Sequence, residues 1–457
     1  MFKDPAVVTA KDLAQVQLNT GLSNSGIKKL TSTIRHVSSA KVLEPNILHK
    51  FQDLGKSLEE HFTQTPTTFI SSDQKKSQSV VVHCKNLQAL TEEVLLSRKV
   101  FSKHIIKLGI DGGGGFLKVC LGVLQNEADS EAVSPPNKRF LTSSTSKDSG
   151  VKQQLLVAVA EGVQENYSNV KLILSLISIS EINFVVSCDM KLANIICGLQ
   201  SHASAHPCTW CTVESSNLAN RGTLRTFRSL KQAHKTYTAA GSDIKKAKLF
   251  GNVIHDPILS LDDDALVLDL IPPMELHLLL GVVNHLFKIL TDLWPKSAEW
   301  LQALHIQPQP FHGGQFAGND CHKLLKNLDL LQTLAENDSA FQVFSIIDSF
   351  RKFGPIVSAC FGNKLDCTYA EKIDSFRDSY LALPRGSITP KVHAVFFHVK
   401  DFIQKTRSPL GIYSEQATES IHHRFQNHWQ RYKRPISHPD YGKRLEMCLV
   451  DFNSQSL

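Results

Sequence analysis

The sequence predicts an α/β protein: a core of strands and helices interrupted by a long helical insertion, with a helical region ahead of it. Three observations carry this. Apolar, β-branched runs of strand length cluster between residues 104 and 188. Helical periodicity then dominates from about 206 to 400. A further helical pattern returns at 417–431, beyond that block.

Composition bounds the function classes. A chain of 457 residues suggests two to four domains, at roughly 150 residues each. With 42% hydrophobic and 20% charged residues, wholesale disorder, collagen and coiled coil are excluded. Lys and Arg outnumber Asp and Glu by 50 to 43, giving +7, which permits a polyanionic partner without demanding one. The start, Met1-Phe2-Lys3-Asp4-Pro5, carries no apolar leader core, so secretion is not expected. The greasiest run, Leu276 to Leu293, is broken by His277, Asn284, His285, Lys288 and Asp292. It reads as a buried helix, and no membrane partner is expected. Ten cysteines without an export signal read as reduced thiols or metal ligands. The expectation is a soluble intracellular protein.

In chain order, residues 1–100 read mostly helical, with apolar spacing at Leu13, Val16 and Leu18 and again at Ile27, Leu30 and Ile34. The turn between, Thr20-Gly21-Leu22-Ser23, fits a helix-turn-helix DNA reader or two plain structural helices. Ser71 to Gln78 reads as a loop or linker. Ile105 to Ile110 is an apolar strand running into Asp111 and the glycines Gly112 to Gly115, and Phe116 to Val123 completes a hairpin. Residues 126–150 are a polar excursion. Gln153 to Ala160 reads as a strand, Ser168 to Ile177 as a helix, and Ile182 to Cys188 as a strand ending at Asp189.

Several constellations carry chemistry. Asp111 and Asp189 each close a strand, so neighbouring strands would converge the two carboxylates. Such clusters repel unless a divalent cation neutralises them, which points to Mg²⁺ or Mn²⁺ and phosphodiester chemistry. Glu415 and Glu419, four apart at the start of the late helix, are the candidates for a third ligand. The plain alternative is that Asp after a strand is a turn residue. The glycine run also resembles a phosphate loop of sugar kinases and actin-like ATPases, but Asp189 is followed by Met190-Lys191 rather than glycine. Cys208-Thr209-Trp210-Cys211 has the knuckle spacing that lets two thiolates grip Zn²⁺, and His393 and His398 have the spacing of a zinc histidine pair. Cys360 and Cys367 are rival ligands, and CxxC also fits a redox pair.

Taken together, the blocks resemble the Transib-type transposases and the catalytic subunit of the V(D)J recombination-activating nuclease. The likeness runs over about residues 100–435, through Ile110-Asp111-Gly112, Cys188-Asp189-Met190-Lys191, Cys208-Thr209-Trp210-Cys211 and Met274-Glu275-Leu276-His277 with Asn284. It continues through Phe316-Ala317-Gly318-Asn319, Ile388 to His393 with His398, and Leu410 to Glu419. The resemblance implies an RNase H-like catalytic core split by a mostly helical zinc-binding insertion. It implies Asp111, Asp189 and Glu419 as catalytic Mg²⁺ ligands, with Glu415 in reserve, and Cys208, Cys211, His393 and His398 as Zn²⁺ ligands. It further implies a nuclear DNA transposase or endonuclease acting, as a homodimer, on double-stranded DNA with terminal inverted repeats. A freed 3′-hydroxyl would attack the opposite strand to give a hairpin or joined product. His277 and Asn319 are expected near DNA. So are Arg424, Arg431 and Lys433 in the basic, aromatic stretch His422 to Arg434, whose alternative is a solvated helix face over a core stripe. The expected divisions are 1–100, a helical region for DNA binding or dimerisation; 101–205, the first part of the core; 206–400, the insertion; 401–440, the last core helix; and 441–457, a tail. Departures from the family, an N-terminal region without a RING-type Cys/His array among them, leave a second expectation: a domesticated, catalytically silent DNA-binding protein.

Overall fold

Strands that are apolar on both faces must be covered on both faces, and the strand-rich part of this chain is built that way. The computed structural model describes residues 7–8, 12–13, 16, 22, 24–37, 41–42, 58–98, 100, 104–125, 140–141, 154–179, 183–308, 315–384, 386–454 and 456. The chain divides into two compact units. The first comprises Met1–Gln125, Lys147–Phe184 and Gln416–Leu457; the second comprises Asn126–Ser146 and Val185–Glu415.

The first unit begins with α1 (Asn24–Val37), whose Ile27 is buried with Leu13. The turn Thr20-Gly21 lies outside the described residues, as does most of 126–150. A hairpin follows where the sequence reads as helix and loop: β1 (Phe62–Ile70) pairs with β2 (Lys76–Cys84) from Phe62↔Cys84 to Ile70↔Lys76. Only residues 71–75 of the expected linker turn between strands. Alternating burial from Thr63 to Phe69, with Thr67 and Phe69 buried and Gln64, Pro66 and Thr68 exposed, is the period-2 signal that the helical reading overlooks. Helix α2 (Leu87–Ser97), N-capped by Asn86, leads into β3 (His104–Gly113) and β4 (Phe116–Gln125). These pair antiparallel around Gly114 (φ 60°) and Gly115 (φ 79°), the two positive-φ centres of a tight hairpin turn. After them come β5 (Leu155–Glu161), α3 (Tyr167–Ser175) and β6 (Phe184–Ser187). The sheet order is β1-β2-β5-β4-β3-β6. A bulge between Val119 and Cys120 shifts the β4–β5 register.

The second unit takes in the rest of β6 from Val185, then α4 (Met190–Ile196), α5 (Phe227–Ala239) and the long α6 (Glu275–Leu293). By length and composition α6 could cross a membrane, yet Leu278, Leu279, Val282, Val283, Leu286, Ile289 and Leu290 are buried within the protein. Around it lie α7 (Gly318–Lys326), α8 (Leu328–Asn337), α9 (Phe344–Ile356) and α10 (Tyr369–Leu381). Pro355 interrupts α9 and a π-turn, Val357–Phe361, follows directly. A second π-turn, Ala394–His398, joins the short helix Pro390–His393 to α11 (Val399–Thr406).

The chain then returns to the first unit as α12 (Gln416–Trp429), which packs on β3, and α13 (Tyr441–Asn453), which covers β1, β2 and β5. The described residues of the expected tail, 441–454 and 456, are therefore helix and core. Leu445, Cys448, Leu449 and Phe452 are buried, and the Asn453 amide binds both N–H (2.9 Å) and C=O (2.8 Å) of Leu156. The unit boundaries also differ from the expected 205 and 401: the crossings fall after Phe184 and after Glu415.

Candidate metal centre

The zinc reading depends on whether two distant pairs meet, and in the second unit they do. The donor atoms of Cys208, Cys211, His393 and His398 all lie within 4.8 Å of one another, and all four residues are buried. Cys208 Sγ stands 3.2 Å from His398 Nε2, and Cys211 Sγ 3.3 Å from His393 Nε2. Tetrahedral Zn²⁺ with ordinary Zn–S and Zn–N bonds has S···N edges of about 3.6 Å, so the cluster is close to the required size. Two soft thiolates and two imidazoles are a zinc donor set, and the site can hold such a metal.

Each histidine has its other nitrogen engaged, which leaves Nε2 for the metal. His393 Nδ1 donates to Leu218 O at 2.9 Å, and His398 Nδ1 faces Asp401 Oδ2 at 3.3 Å. Asp401 also takes an ion pair from Arg221. Burial pulls the His398 pKa down, but Asp401 and Cys211 outweigh it and the net direction is up. Burial pushes the Cys208 thiol up; its hydrogen bond to Cys211 holds the latter's thiol well down. Fully buried Arg225 donates Nε to Cys211 O (3.0 Å) and Nη2 to Gly251 O (2.9 Å). The nearby thiols partly offset the burial that lowers its pKa. Rival ligands Cys360 and Cys367 stand outside this group.

A π-turn makes the histidine pair work. Five residues apart on a regular α-helix, His393 and His398 would point about 140° apart. The i→i+5 closure of Ala394–His398 brings the second ring back over the first, with centroids 5.0 Å apart.

The expected acidic residues are distributed over both units. In the first, Asp111 sits near the end of β3, cross-strand from Lys118, and its Oδ2 receives a hydrogen bond from His422 Nε2. Lys118 is fully buried and donates to His422 Nδ1 (2.6 Å) and Gly113 O (2.8 Å). That fixes the tautomer: Nδ1 accepts, and Nε2–H points at Asp111. Burial pulls the Lys118 pKa down to about 8, against the opposing fields of Cys120 and Asp111. Glu419 lies in the first turn of α12, and its side chain is outside the described residues.

In the second unit, Asp189 N-caps α4, its Oδ1 accepting from Leu192 N at 2.6 Å, so the plain structural role is realised here. Buried Glu415 lies 3.7 Å from His277 Nε2. Burial lowers the pKa of Lys391, and the charges of Asp189 and Glu415 oppose it, which places one lysine in the field of both. Among the described residues, the Cys₂His₂ group is the one set of three or more His, Cys, Asp or Glu ligand atoms near enough to share an ion.

Of the residues expected near DNA, Asn319, Arg431 and Lys433 are exposed. Arg424 is half-buried with its guanidinium over Phe452 at 5.5 Å. Two aromatics of that stretch belong to the core, Phe425 and Trp429 meeting Phe116 edge-on at 5.3 and 6.2 Å, while half-buried Tyr432 donates to Asp451 (2.6 Å). Sequence reasoning missed Lys118, His422, Lys391 and Arg225. A lysine in an otherwise apolar strand was the available signal for the first; nothing local marks the others.

Residues 138–240, which include Asp189, Cys208 and Cys211, match a domain of unknown function (DUF8703). No curated protein matches the chain.

Proposed function

We propose that the protein is a Transib-like DNA transposase or recombinase nuclease, with an RNase H-like core whose carboxylates Asp111, Asp189 and Glu419 bind Mg²⁺ or Mn²⁺. The observation that supports this reading is that each aspartate stands at the end of a strand, Asp111 near the end of β3 and Asp189 two residues after β6, with one carboxylate oxygen outside its protein hydrogen bond. Hard carboxylate oxygens suit these ions. Asp111 engages His422 through Oδ2, leaving Oδ1 for a ligand, and Asp189 caps its helix through Oδ1, leaving Oδ2. Bound divalent ions would supply an activated water and neutralise charge on the leaving oxygen of a phosphodiester. His422, with its tautomer set by Lys118, would hold the Asp111 carboxylate in one orientation. The zinc group would clip the start of the helical insertion to its end. Double-stranded DNA, a homodimer and the nucleus are the partner, state and location this reading implies.

A second reading, a catalytically silent DNA-binding descendant, draws on a different observation. Protein groups already attend the acids: the His422 N–H at Asp111 with the Lys118 ammonium behind it, and Lys391 near Asp189 and Glu415. Calorimetric titration with Mn²⁺, paired with cleavage of terminal-repeat DNA, separates the two. The nuclease reading expects saturable Mn²⁺ binding and cleavage that Asp111→Asn and Asp189→Asn abolish while DNA binding persists. DNA binding without any Mn²⁺ uptake or cutting would leave only the silent form.

A further inference from the structure

We propose that the 3-10 turn Ile244–Phe250 (IKKAKLF) is a contact surface for the phosphodiester backbone of DNA, held out rigidly by the scaffold of the zinc group. The proposal rests on the nucleic-acid reading above and assigns it a place on the second unit.

Charge is the first argument. Lys245, Lys246 and Lys248 are exposed, and none forms an ion pair among the described residues. Two cations on the preceding α5 are engaged instead, Arg228 with Asp264 and Lys231 with Asp263, each at 2.9 Å. A 3-10 helix repeats every three residues. Positions 244, 247 and 250 therefore form one row, anchored by fully buried Ala247 and by Phe250 edge-on to Tyr237 at 5.7 Å. The other two rows, 245/248 and 246/249, face outward and carry all three lysines.

Rigidity is the second. Asp243 caps the turn through Lys245 N (3.0 Å), and left-handed Gly251 (φ 61°) closes it. Arg225 ties Gly251 O to Cys211 O, within the metal loop itself. His206, two residues before Cys208, contacts Thr212 O (2.8 Å) and Lys248 O (3.1 Å) through its two ring nitrogens. Lysines on a pinned turn lose little backbone freedom on binding, so counterion release from the duplex is the net driving force. Ile244 and Leu249, 54% and 70% exposed, give the turn aliphatic tips as well. Two such tips bury far less than the continuous apolar face that membrane attachment needs, which favours nucleic acid.

The test uses the full zinc-loaded chain and fluorescence anisotropy with a 5′-labelled duplex over a salt series. The triple variant Lys245→Gln, Lys246→Gln, Lys248→Gln should flatten the slope of log K against log salt by roughly 2 to 3, and weaken binding about tenfold or more at 0.1 M salt. Lys231→Gln, which removes a paired cation, should leave the slope unchanged. An unaltered slope in a triple variant that melts like the parent would overturn the proposal and leave the DNA reading standing. A parent chain that fails to bind DNA would overturn both. Lysine-dependent capture by phosphatidylserine vesicles in place of DNA would replace the nucleic-acid backbone with a lipid surface.

Discussion

Gly109 has no room for a side chain. A Cβ there would lie 2.1 Å from Thr418 Oγ1, because α12 runs against β3 at this point. Gly109→Ala should cost roughly 1–3 kcal/mol through overpacking. Thr418→Ala should restore most of it, since the hydroxyl is buried with no hydrogen-bond partner among the described residues. A double-mutant cycle by urea melts checks this; equal costs in both backgrounds would show that the two residues do not couple. Gly113 makes the same kind of allowance for His422, whose Nε2 a Cβ would approach to 2.8 Å. The glycine run therefore serves a hairpin turn and a helix contact. Lys118 carries a pH signature. Its folded pKa of about 8 lies below the ordinary 10.5, so between those values the unfolded chain binds more protons. Stability contributed at this position should rise with pH across that window, and Lys118→Met should remove the rise in equilibrium unfolding curves.

The H-x₄-H spacing of His393 and His398 is legible in the sequence, but the π-turn that aligns the rings is not, because its cause is the packing around it. A metal held by these four buried residues would tie a loop to a helix far along the chain, so its loss should be felt as stability. Cys208→Ser or His398→Ala should abolish stoichiometric zinc and lower the Tm by about 10 °C or more, at 2–4 °C per kcal/mol for a unit of this size. Zinc content by plasma emission and a thermal scan measure both; a variant that loses zinc and keeps its Tm would refute the structural role. Strands β3 to β6 are readable because they are continuous apolar runs. The β1–β2 hairpin is not, because Thr-rich, half-exposed strands carry little hydrophobic contrast, and α13 looks polar until its burial against the sheet is seen.

Across the full chain, the nuclease reading places one carboxylate in the first unit and another in the second. If both serve one reaction, each single Asp→Asn should eliminate activity as completely as the pair Asp111→Asn and Asp189→Asn together. Single-turnover cleavage with Mn²⁺ tests this; additive partial losses would mean the two acids act separately. Local order was written plainly along the chain: strand and helix periods, the Gly-Gly turn, the CxxC knuckle and the spacing of two histidines. Those features follow from backbone geometry within a few residues. Folding in space settled the pairings: His422 with Asp111 and Lys118, Lys391 in the field of Asp189 and Glu415, Arg225 between the metal loop and a basic turn. Such partners lie tens to hundreds of positions apart, where no residue period reaches and only the burial of apolar surface selects which side chains meet.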